Sequence, residues 1–246
     1  MRIRPLLVVA ALAAGLYGNA AMAQRLGVVE VPPWAIKDAS GAATSGIGVD
    51  VAKVLKERTG LPIEIQIVPF ARMSDYMRSG ELDFALTTYS QAGEAAGPYV
   101  ADAFKFPLVV VARPGIDVAK YEDLKKLGSV GIIRGSRYGE PFDSDPEIKR
   151  SDENSVDGML RKLAAERLDG VAGSAVALYY TARQLGQEQA LGKSVTLLNS
   201  KVSLQKSNAF SDQAATDKIA KALADMSADG TIAGVLQKYI GSVPGM

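Results

Sequence analysis

Apolar residues along this chain recur at two periods, alternate positions and every third or fourth, and the changes of period mark its elements. Arg25 to Val31 is a short apolar run halted by Pro32-Pro33, which predicts a first strand with Trp34 just beyond its end. Asp38 to Ser45 is small and polar and predicts a surface hairpin or loop. Val51, Val54 and Leu55 share one helical face and Lys53, Glu57 and Arg58 the other, so a helix entered through Gly46 to Asp50 and closed by Gly60 is expected. Ile63, Ile65 and Ile67 alternate with Glu64 and Gln66, which predicts a second strand.

From Phe70 to Ser90 the period changes again. Met73, Tyr76 and Met77 at helical spacing predict a short helix over 71–79, stopped at Gly80, where glycine takes a left-handed cap without steric cost. Leu82 to Leu86 is nearly continuous in apolar residues, as in a strand covered on both faces. It ends at Thr87, Thr88, Tyr89 and Ser90, hydroxyls at a strand's carboxyl edge, where open α/β sheets bind ligands. An ordinary helix–strand pair with a polar turn would show the same pattern.

Gln91 to Asp102, rich in alanine and glycine, carries no clear period. Pro107 to Val111 predicts a buried strand, Tyr121 to Leu124 the opening of a short helix, and Ser129 to Ile133 another strand with a polar end at Arg134 to Gly139. Val156, Met159, Leu160 and Leu163 predict an amphipathic helix capped by Ser155. Asp169 to Ala172 reads as a strand and 175–185 as a helix; Val195 to Leu198 and Val202 to Gln205 read as two further strands. Two helices close the chain, one marked by Ile219, Leu223 and Met226 behind Ser211, the other by Ile232, Val235, Leu236 and Tyr239 behind Asp229-Gly230-Thr231. Strand–helix–strand–helix–strand therefore occurs twice, before about 112 and after about 128. That alternation predicts an α/β chain of two units, each with a largely parallel sheet, and makes the join between them the default ligand site.

The first residues lie outside that pattern. Arg2 and Arg4, the apolar run Leu6 to Leu16 and the small residues Ala21-Met22-Ala23 predict a secretory signal peptide over 1–23, cleaved before Gln24. The product is expected in the periplasm, soluble and without a lipid anchor, since no cysteine follows the cleavage site. The chain holds 28 Lys and Arg against 27 Asp and Glu, and loss of Arg2 and Arg4 leaves 26 against 27. A near-neutral balance argues against nucleic acid or an anionic membrane as partner. The absence of histidine and cysteine removes most transition-metal sites and every His-based catalytic base, and no DxDxDG loop for calcium is present. No cofactor or metal is expected.

With its elements in this order, the chain resembles the bacterial periplasmic solute-binding proteins of ABC importers, solute-binding family 3, the group that includes polar amino-acid binders. The resemblance is carried by Gly46-Ile47-Gly48-Val49-Asp50-Val51-Ala52, by Phe70-Ala71-Arg72-Met73 through Met77-Arg78-Ser79-Gly80-Glu81-Leu82-Asp83, and by Val130-Gly131-Ile132 with Arg134-Gly135-Ser136. Leu163 to Val171 and Asp229-Gly230-Thr231 through Lys238-Tyr239-Ile240-Gly241 complete it. It implies a two-lobed, type II periplasmic-binding-protein fold with two hinge crossings, at Phe106–Arg113 and Leu198–Ser207. Lobe one would comprise 24–111 plus 201–246 and lobe two 112–200. A monomer would capture a small polar solute between the lobes and deliver it to an ABC permease in the inner membrane, without inserting in the membrane itself.

The family's amino-acid binders hold the ligand carboxylate with an arginine and the amino group with an aspartate. The matching positions here are near Glu94 and at Ser174, and no arginine lies between Arg78 and Arg113, so the resemblance does not imply an α-amino-acid cargo. Recognition is expected instead from Trp34 and Phe70 as aromatic walls and from the hydroxyls of Thr88, Tyr89, Ser90 and Ser174. Ser136, Arg137 and Tyr138 are expected to open a helix whose free N–H groups suit an anion, with Arg72 and Arg134 adding charge, so the solute is expected to be polar or anionic. Core positions for the two aromatics and solvated surface positions for the arginines fit the same residues. No enzymatic activity is expected. A sensory protein presenting its ligand to a separate receptor is an alternative, as is a dehydratase on the same fold with Glu94 or Glu140 as acid.

Overall fold

The computed structural model describes residues 22–241, so the predicted leader lies outside the described residues except for Met22 and Ala23. In chain order the elements are β1 (Gln24–Val29), a hairpin of β2 (Ile36–Lys37) and β3 (Ala43–Ser45), α1 (Ile47–Thr59), β4 (Ile63–Val68), α2 (Phe70–Ser79) and β5 (Phe84–Thr88). They continue with β6 (Tyr99–Ala112), β7 (Val130–Ile133), β8 (Arg150–Glu153), α3 (Val156–Ala164), β9 (Gly170–Ser174) and α4 (Ala175–Leu185). The long strand β10 (Ser194–Lys206) and the helices α5 (Gln213–Ala228) and α6 (Thr231–Ile240) follow. Single 3-10 turns cover Gln91–Ala96, Tyr121–Lys126 and Glu188–Ala190.

Eight strands form one sheet in the order β4-β1-β5-β10-β6-β9-β7-β8. At one end β4, β1 and β5 are parallel, and at the other β9, β7 and β8 are parallel. Between them β10 runs antiparallel to β5 and to β6, and β6 runs antiparallel to β9. The two parallel triplets are the sheets of two lobes, and β6 and β10 belong to both. Their register runs from Ser194 opposite Val111 to Gln205 opposite Tyr99, so the lobes are joined by a two-stranded antiparallel ribbon.

Each triplet is covered on both faces, which is why its strands read as near-continuous apolar runs. Leu26, Val28 and Phe84 pack with Leu55 of α1 and Ile219 and Leu223 of α5. Val29, Val68 and Ala85 pack with Met73 and Met77 of α2 on the opposite face. In the second lobe Met159, Leu160 and Leu163 of α3 and Leu178 of α4 join the main core, whereas Val110, Val130 and Ala172 pack on the other side with Leu124, Tyr138 and Phe142. Asp83 fixes the entry to β5: its carboxylate accepts a backbone bond from Arg25 N at 2.8 Å and a guanidinium bond at 2.7 Å.

Several predicted boundaries move. The apolar run at Leu82 starts two residues ahead of β5, because Leu82 packs under α2 before the ladder begins, and the strand continues through Thr87 and Thr88. The stretch Gln91–Asp102, which carries no clear period, is the 3-10 turn Gln91–Ala96 followed by the first residues of β6. The two strands expected at 195–205 are one, with bulges at Thr196/Leu198, Val202/Ser203 and Leu204/Gln205; the polar Asn199-Ser200-Lys201 between them, exposed at Asn199 and half-buried after it, is continuous ribbon and not a turn. The cap of α5 is Asp212, whose carboxylate accepts from Ala215 N at 2.9 Å, and not Ser211. Arg134 to Gly139 is a turn followed by irregular chain, where a helix start was expected.

Candidate functional site

The loop after β1 is shaped by the start of α1. Ile47 N donates to Pro33 O at 2.7 Å and Gly48 N to Trp34 O at 2.9 Å, so the helix's first amides are capped by the backbone beside the tryptophan. Gly46 makes the approach feasible: at its φ of 123° a Cβ would lie 2.5 Å from Trp34 O. Trp34 is thereby held half-buried, its ring stacked on Phe104 of β6 with centroids 6.0 Å apart and planes 18° apart.

Beside it lies a cavity of about 550 Å³ into which both lobes contribute. Val29, Val31 and Trp34 line it from the end of β1, Phe70 from the first residue of α2, and Leu86, Thr87 and Thr88 from the end of β5. Ile133 and Ser136 close it from the end of β7, with Val202 of β10 in the ribbon. The lining residues include two of the most exposed large apolar side chains of the described chain, Phe70 at 64% and Val31 at 46%. Among the described residues no ionisable side chain lines it; its polar side-chain groups are the hydroxyls of Thr87, Thr88 and Ser136 and the indole N–H of Trp34.

Of the residues singled out in the sequence, Trp34, Phe70, Thr88 and Ser136 meet in this cavity. Tyr89 and Ser90 lie just past it and line a separate hollow of about 520 Å³ along the ribbon, with Lys105, Asn199 and Lys201. The Tyr89 hydroxyl donates to Glu94 at 3.0 Å, which holds its proton more tightly than usual, and Lys201 Nζ sits 5.0 Å from the centre of its ring. The Ser90 hydroxyl accepts from Gly93 N at 3.0 Å and so caps the turn that follows.

The arginines are outside the cavity lining. Arg72 is exposed on α2 and bonds the Tyr76 hydroxyl at 3.4 Å, Arg134 is exposed 3.9 Å from Asp152, and Arg137 is exposed on the loop. Tyr138 is a core residue: it is 5% exposed, packs edge-on against Phe142, and its hydroxyl accepts the Ile133 N–H at 3.0 Å. Of the amides expected to be free for an anion, Ser136 N donates to Ile133 O at 2.9 Å and Tyr138 N to the Asp143 carboxylate at 3.0 Å, which also accepts from Gly139 N at 2.8 Å. Ser174 caps α4, accepting from Ala177 N at 3.1 Å. The sequence reading missed Val29, Val31, Leu86, Thr87, Ile133 and Val202. Val31 and Thr87 carried a signal, each standing at a predicted strand end; Val202 carried none, because which face of a bulged strand it occupies is settled by register.

Against known proteins, residues 25–242 match the family model described as bacterial extracellular solute-binding proteins, family 3. Comparison with curated protein sequences returns no match. Among solved structures, an ancestral cationic amino acid solute-binding protein superposes with a TM-score of 0.72 at 16% identity, over 89% of this chain and 95% of the other. The second substrate binding domain assigned to an amino acid ABC transporter of Streptococcus pneumoniae gives 0.70 at 18% identity, over 89% and 99%. A histidine kinase sensor domain with similarity to periplasmic binding proteins gives 0.65 at 16%, over 90% and 97%. At such identities these likenesses speak to fold.

Proposed function

The chain belongs to the bacterial extracellular solute-binding proteins, family 3, and from that premise we propose that it captures a small polar organic solute between its lobes and hands it to an ABC-type permease. The observation that carries this reading is the cavity walled by both parallel triplets, with Thr87 and Thr88 on one side and Ile133 and Ser136 on the other. A solute touching both walls binds the closed form better than the open one, and that difference is all that closure requires. We take the lobes as 24–111 plus 201–246 and 112–200, with Trp34, Phe70, Thr88 and Ser136 as ligand contacts. The periplasm is the proposed compartment, supported by the family and by the leader-like sequence at 1–23; among the described residues no helix is long and apolar enough to cross a membrane.

A second reading, presentation of the ligand to a separate receptor, is supported by the likeness to a sensor domain. An enzymatic reading would need an acid at the cavity, whereas Glu94 is bonded to Tyr89 and Glu140 to Ser144, and neither lines it. The test of capture is a thermal-shift screen of metabolites followed by small-angle scattering. A true solute at 100 times its Kd is expected to stabilise the protein by about 2.7 kcal/mol and to reduce its radius of gyration. Stabilisation without compaction would count against a site shared by two lobes. Loss of uptake on deleting the chromosomal copy would favour transport over sensing.

A further inference from the structure

We infer that the part of the solute enclosed by the cavity is uncharged and presents a flat apolar face, as an aromatic or heteroaromatic ring bearing an amide or hydroxyl does. The inference rests on the cavity being the solute site and names the class of molecule it takes. Seven of the ten lining residues are apolar and the other three are Thr87, Thr88 and Ser136, so no side chain there can neutralise an ionised group. A charge moved out of water into such a site loses its hydration and gains no partner, a cost that hydroxyls do not offset; a zwitterion carries two such charges.

Two sets of backbone amides near the site are already bonded, whereas α2, whose first residue Phe70 lines the cavity, has no side-chain cap at its N-terminus. The first amides of α1 are bonded to Pro33 and Trp34 carbonyls, and those of Tyr138 and Gly139 to Asp143. Arg72 and Arg137 are solvated outside the lining, where a charged tail on the solute's outer end would meet a screened partner at most.

What the cavity offers in place of charge is apolar area. Trp34 is braced by its stack on Phe104, and Phe70 and Val31 stand open to solvent although they line a concave site. Covering them is favourable in proportion to area, and a flat ring matches an aromatic wall better than a flexible chain does. A cavity of about 550 Å³ suits a molecule of that size. Three hydroxyls, each donor and acceptor, are enough to orient one amide or hydroxyl on the ring.

The test uses the mature chain and its single tryptophan, Trp34, whose emission reports occupancy of the wall it forms. Four probes share one ring and differ in charge: benzamide, benzoate, benzylamine and phenylalanine. Benzamide is expected to shift Trp34 emission and raise the melting temperature with a Kd at least about tenfold below those of the three charged probes. Phe70→Ala should weaken benzamide by about tenfold while leaving the melting temperature of the unliganded protein unchanged, since that side chain is exposed. A charged probe, glutamine or arginine binding as tightly as benzamide would overturn the inference and leave capture standing. Silence of every probe together with a full metabolite screen would overturn both.

Discussion

Tyr138 shows how one hydroxyl can be read two ways. In the sequence it stands among Ser136 and Arg137 at a strand's carboxyl end, the place for a ligand contact; in the fold its ring fills the second lobe's lower core and its oxygen accepts the last amide of β7. Tyr138→Phe keeps the ring and leaves the Ile133 N–H without that acceptor, so it should destabilise the protein by about 1 kcal/mol in urea unfolding and leave solute affinity within about twofold. A large loss of affinity with unchanged stability would return Tyr138 to the binding site. Burial also pushes its phenol above the ordinary range.

Among the elements, the loop between β1 and α1 couples fold to site most directly. Its proline pair ends the strand, its carbonyls cap the helix, and its tryptophan forms a cavity wall. Gly46→Ala would force a Cβ at 2.5 Å from Trp34 O in a backbone conformation that only glycine adopts cheaply. It should cost about 1–3 kcal/mol and shift Trp34 emission in the unliganded protein. Wild-type emission and stability would mean that the loop is not held by this contact. The ribbon of β6 and β10 makes the opposite point. Its polar middle reads as a loop in any local window, yet it is continuous strand because each half is paired to a lobe sheet.

At the scale of the whole molecule, the chain's end secures its beginning. Tyr239 of α6 donates to Asp50 at 2.7 Å and accepts from Gly46 N at 2.8 Å, and Arg58 of α1 pairs with Asp229 at 2.6 Å. The Thr231 hydroxyl and then Arg58 hold the Asp229 carboxyl at about 2, below the ordinary value of about 3.9. Because its folded value is depressed, Asp229 contributes stability that is present above about pH 4 and lost as pH falls toward 2. Melting temperature should therefore fall across that window, and Asp229→Asn should flatten the fall while leaving the profile above pH 5 parallel to wild type. An unchanged acid profile would show that the contact carries nothing.

Periodicity in the sequence was enough for the alternation of strands and helices, the caps at Gly60, Gly80 and Ser155, and the two-unit plan, because each depends on residues close in the chain. The strand ends bearing Trp34, Phe70, Thr88 and Ser136 were legible for the same reason. What needed the tertiary structure was everything set by register and by distant partners: the unbroken β10, the placement of Val202, the occupation of the Tyr138 and Gly139 amides by Asp143, and the position of each arginine outside the cavity. A charge's role depends on what lies across from it in space, and local sequence does not encode that. The chain's own pattern thus marked the strand ends that meet at the cavity, and only the folded arrangement decided that no ionisable side chain lines it.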